Sequence, residues 1–83
     1  MEKEIKKKIY ELLNELKWRG EAFNQMGGEF YSRILADEMT KINNELRYEY
    51  GVKVDYWQPR DGRVAWINLD QLIEYYKVEE EEN

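Results

Sequence analysis

The sequence predicts a small α+β domain of order α-α-β-β-α, two amphipathic helices packed with a β-hairpin and a short C-terminal helix. Three observations carry this. Two long stretches repeat apolar residues at helical spacing, the segment from Val52 to Asn68 alternates apolar and polar residues about a proline–glycine turn, and a third, shorter helical pattern follows.

Ile5, Ile9, Leu12, Leu13, Leu16 and Phe23 fall on one side of a helical wheel, so a first helix begins near residue 2. Gly20 and then Met26-Gly27-Gly28 are the strongest breaks after it, which places the helix end either near Lys17–Gly20 or as late as Gln25. Trp18 lies opposite the apolar stripe: an early end would let it fold into the core, and a late end leaves it on the surface. The second helix runs from Glu29 to about Glu49, with Tyr31, Leu35, Met39, Ile42, Leu46 and Tyr50 as its main stripe. Phe30, Ile34 and Tyr48 form a second apolar patch. A helix with two apolar faces needs two neighbours: the first helix and either the hairpin, the last helix or a second copy. Gly51 follows where a left-handed residue terminates helices.

The hairpin loop reads Gln58-Pro59-Arg60-Asp61-Gly62-Arg63, proline pre-setting the first turn position and Gly62 free to take positive φ. A four-residue loop pairs Trp57 with Val64, Tyr56 with Ala65, Asp55 with Trp66 and Val54 with Ile67. One face then collects Val52, Val54, Tyr56, Ala65 and Ile67, and the other Lys53, Asp55, Trp57, Val64 and Trp66. A three-residue loop with a bulge shifts the partners by one, turning Val64 and Trp66 inward and leaving Trp57 and Ile67 outside. Asn68-Leu69-Asp70-Gln71 reads as a capping box, after which Leu69, Leu72, Ile73 and Tyr76 give one apolar side to a helix ending near Lys77.

Length and composition bound the chemistry. Eighty-three residues suffice for one domain, taken as residues 1–78 with an acidic, frayed tail at 79–83. The absence of Cys removes disulfides, thiolate nucleophiles and Cys-built zinc sites, and suits a reducing cytoplasm; the absence of His removes the usual general base and commonest metal ligand. No enzyme activity, cofactor or metal is expected. The start, Met1-Glu2-Lys3-Glu4, does not resemble a signal peptide, and no apolar run approaches a membrane span, so no membrane is expected as partner. The net charge of −5 is concentrated in Glu79–Glu82, the remainder being nearly neutral.

The outer hairpin face is the first candidate site. Trp57, Val64 and Trp66 make an apolar strip edged by Arg60 and Arg63, with Trp18 as a further contributor, and tryptophan and arginine are the residues most enriched at interface hot spots. The competing reading is that a helix covers this face and makes it core; a homodimer through the strip or strand edge is a third. Arg60 and Arg63 at the tip of a wing would also suit a winged helix-turn-helix contacting DNA phosphates. The second helix, however, mixes Arg33, Lys41 and Arg47 with Asp37, Glu38, Glu45 and Glu49 and offers no positive face, so nucleic acid is the less favoured partner. Paired carboxylates and the Gly27-Gly28 dipeptide carry structural explanations that outweigh a metal or phosphate site.

The expected function is a non-enzymatic protein-binding module. In general character the chain resembles the small, aromatic-rich, cysteine-free proteins that phages and other mobile elements use to block host machinery, including anti-CRISPR proteins and polymerase inhibitors, although no motif carries that likeness. The resemblance implies an inhibitor docking on a protein, and an acidic patch from Asp37, Glu38, Glu45 and Glu49 joined by the tail.

Overall fold

The computed structural model describes residues 2–25, 29–57 and 63–77, and for residues 29–32 and Trp57 the backbone alone. Helices α1 (Lys3–Gln25), α2 (Glu29–Tyr50) and α3 (Leu69–Tyr76) take up 78% of it. The expected α+β class is therefore corrected to a mainly helical fold. Among the described residues extended pairing is limited to β1 (Tyr56–Trp57) against β2 (Ala65–Trp66), two residues each, too little to form a layer or the hairpin expected from Val52 to Asn68. The physical reason lies in what a two-residue period reports: it marks which side of an extended chain is buried, not whether a strand lies beside it. Val52 and Val54 are buried against the helices without belonging to a ladder.

Helix α1 is the spine, packed against both α2 and α3. Ile9, Leu12, Leu13 and Leu16 face Met39, Ile42 and Leu46, and Val52, Val54 and Leu69 close the core. Ile5, expected in the stripe, is 40% exposed. α1 continues past Gly20 to Gln25, the later of its two expected ends, and Trp18 is accordingly a surface residue at 62% exposure. On α2 the main stripe is buried at Leu35, Met39, Ile42 and Leu46, while Ile34 and Tyr48 of the second patch remain exposed. Phe30 and Tyr31 have side chains outside the described atoms, and the Met26-Gly27-Gly28 break and the Gln58–Gly62 loop lie outside the described residues, as do Val78 and the tail Glu79–Glu82. Gly51 takes φ +69 as expected. Its N–H donates to the Arg47 carbonyl and that of Val52 to the Leu46 carbonyl, closing the end of α2.

The observed register pairs Tyr56 with Trp66 and Trp57 with Ala65, one residue from the four-residue-loop pairing and equal to the bulged alternative. Val64 and Trp66 consequently pack on the core and Ile67 is 65% exposed. Side chains do much of the work of the missing ladder. Asn24 of α1 donates through Nδ2 to the Val64 carbonyl (2.9 Å) and accepts from the Val64 N–H (2.8 Å), acting as a strand edge. Asn68 accepts from the Asp55 N–H (2.8 Å) and donates to the Lys53 carbonyl (3.1 Å). That employment overturns the capping box: Asn68 makes no side-chain cap bond to α3, because its amide is spent on the segment before β1.

Candidate docking groove

Trp66 fixes the geometry of the candidate site. Its indole lies on α1 at Gly20, where a Cβ would stand 2.6 Å from Cζ2 and 2.7 Å from Nε1, so only glycine admits the ring there. The indole also meets Tyr56 edge to face at 6.0 Å between centroids. Its Nε1–H is sealed from solvent with no acceptor in reach among the described residues. Gly20 reads from sequence as a helix break. Its role as the floor under an aromatic ring 46 positions later has no local signature.

Because β1 and β2 lean on α1, two adjoining depressions form between them and α2. One, of about 250 Å³, lies among Met39, Thr40, Asn43, Asn44, Tyr56 and Trp66. The other, of about 240 Å³, lies between Asn43 and Arg47 on α2 and Lys53–Tyr56. Asn43 and Tyr56 line both, so they make one groove along α2, with the half-exposed Tyr56 at its lip. Amide and hydroxyl groups supply the polar lining of the first depression among the described residues. Such groups hydrogen-bond well but do not exchange protons near neutral pH. Among the described residues no group of three or more His, Cys, Asp or Glu could hold a metal ion.

The expected site residues are dispersed by this arrangement. Trp66 and Val64 point into the molecule and line the groove's inner wall. Trp57 pairs with Ala65 through its backbone, its side chain lying outside the described atoms, and Arg60 lies outside the described residues. Arg63 is exposed beside Val64. Trp18 stands on the far side of α1 from its core stripe, with the Arg19 guanidinium 5.5 Å from its ring centroid. The acidic patch is divided. Glu38 accepts from Arg19 Nε at 2.9 Å and so ties α2 to α1, Asp37 is exposed, and Glu45 and Glu49 share a shallow surface with Lys41 and Tyr48. Sequence reasoning missed Tyr56, Thr40, Asn43 and Asn44 as site residues; the two asparagines lie outside both apolar stripes of α2 and carry no local signal.

No helix among the described residues is long and apolar enough to cross a membrane. Compared with protein-family models, with curated proteins and with solved structures, the chain matches none. The expected description as a phage or mobile-element inhibitor thus has no relative to rest on and is set aside, together with the hairpin through which it was to act.

Proposed function

We propose that the chain is a non-enzymatic protein-binding module, working in a reducing cytoplasm, that docks a partner polypeptide in the groove between α2 and β1. The observation that carries the reading is Tyr56: a large ring 50% exposed at the lip of a groove whose apolar wall is Met39, Val64 and Trp66 and whose opposite bank is amide-rich. An aromatic side chain with an apolar body and a polar tip, beside fixed hydrogen-bonding groups, is the composition of protein interfaces rather than of proton-transfer sites.

The reading is tested by placing a photo-crosslinking amino acid at position 56 and, as a control, at Glu11 on the exposed side of α1. The module reading expects a cross-linked protein partner from position 56 and not from position 11. Equal yields from both positions, or none from either, would refute it.

A further inference from the structure

We propose that the groove takes an extended peptide as a third strand on the free edge of β1, antiparallel to it, with a basic side chain opposite Asp55 and an acidic one opposite Lys53. This deepens the protein-binding reading and rests on it. The backbone of residues 53–57 shows which edge is free. The Lys53 carbonyl and both backbone groups of Asp55 point to the β2 side, where they meet Asn68 and the Ile67 N–H. Val54 and Tyr56 alternate with them, so their N–H and C=O groups turn to the opposite edge, toward α2, where no hydrogen-bond partner meets them among the described residues. The second depression opens there. An unpaired row of alternating donors and acceptors beside an open trough is a template for strand addition.

Charge sets the chemistry of the occupant. Lys53 is exposed and Asp55 half-buried, and neither side chain has an ion-pair partner among the described residues. On an added antiparallel strand, the residues opposite Tyr56 and Val54 face the groove, and those opposite Asp55 and Lys53 face outward. The fitting segment therefore reads apolar, basic, apolar, acidic from its N-terminal side. A second copy of this chain is a poorer occupant. Each copy brings its own α2 alongside its β1, and neighbouring strands sit about 4.8 Å apart whereas packed helices need about 8–10 Å.

The probe is a blocked hexapeptide, threonine-isoleucine-lysine-valine-glutamate-threonine, titrated against the full chain. Isoleucine is to sit opposite Tyr56 and valine opposite Val54. Binding should slow amide exchange at Val54 and Tyr56. N-methylation of the isoleucine or valine should weaken binding by about tenfold or more by removing a strand hydrogen bond, while N-methylation of the lysine or glutamate, whose N–H groups point away, should leave it within about twofold. Exchanging lysine and glutamate should weaken it by about fivefold at low salt and less at high salt. Equal sensitivity to methylation at all four positions overturns strand addition. So does a chain that is dimeric by light scattering with Val54 and Tyr56 already protected. Absence of binding by every peptide overturns it too, and a cross-link from position 56 would then show the module reading standing without this mode.

Discussion

The α1–α2 pair and the described residues of the extended segment, 52–57 and 63–68, are built on opposite principles. In the helical pair, side chains repeat every three or four residues, and each buried leucine or isoleucine is one of a row that supports the next. In the extended segment order rests on a few single contacts: Asn24 on Val64, Asn68 on Lys53 and Asp55, and Trp66 on Gly20. The helical pair is cooperative and the segment is held point by point. Removing one side chain from the segment should open it locally, whereas removing one from the row should be felt by the whole chain.

The largest effect expected is Leu13→Ala. Leu13 is fully buried on α1, and such a truncation costs about 2–5 kcal/mol. A chain of this size has about 4–12 kcal/mol in total, so the variant should lose much of its cooperative melting. A full-height transition at an unchanged temperature would show that the row is not the source of stability.

Gly20→Ala comes next and separates local propensity from tertiary contact. Alanine favours the helix by about 1 kcal/mol, but its Cβ would have to displace an indole whose packing is worth about 3 kcal/mol. A net loss of about 2 kcal/mol is expected by denaturant titration, and a gain would mean that Trp66 does not seat there. Trp66→Phe sharpens the same point. It keeps a ring on Gly20 and removes an N–H that has no acceptor among the described residues, so stability should change by less than about 1 kcal/mol, in contrast to the loss in Trp66→Ala.

Asn68→Ala should cost about 1–2 kcal/mol by leaving the Asp55 N–H and the Lys53 carbonyl without their partner. Amide exchange is expected to quicken at Asp55 and not along α3. Quickening along α3 instead would restore the capping role that the structure removes.

The smallest effect belongs to the ion pair between Lys17 and Asp70, 2.9 Å apart at the exposed edge between α1 and α3. The hydrogen bond from Lys17 to Asp70, and then the charge of Asp70, raise the lysine pKa above its ordinary 10.5. A raised folded-state pKa contributes stability that is present at neutral pH and lost as pH climbs through that value. Wild type and Lys17→Met should therefore differ slightly at pH 7 and converge above pH 10.5 in thermal melts. Divergence with rising pH would contradict the assignment.

The legibility of the sequence follows the same division. Ile9, Leu12, Leu13 and Leu16 on α1, Leu35, Met39, Ile42 and Leu46 on α2, and Gly51 at the end of α2 could all be read, because helical burial and helix termination act over three to six residues and leave a periodic or point-like mark. Alternation from Val52 onward announced extended backbone and left two registers open, since period two repeats under a shift by one only with its faces exchanged. The choice between them, the fit of Trp66 on Gly20 and the use of Asn24 and Asn68 as strand substitutes join residues 13 to 46 positions apart. Contacts of that kind have no period. They exist only once the helices have been packed, and the groove beside Tyr56 is the space that packing leaves.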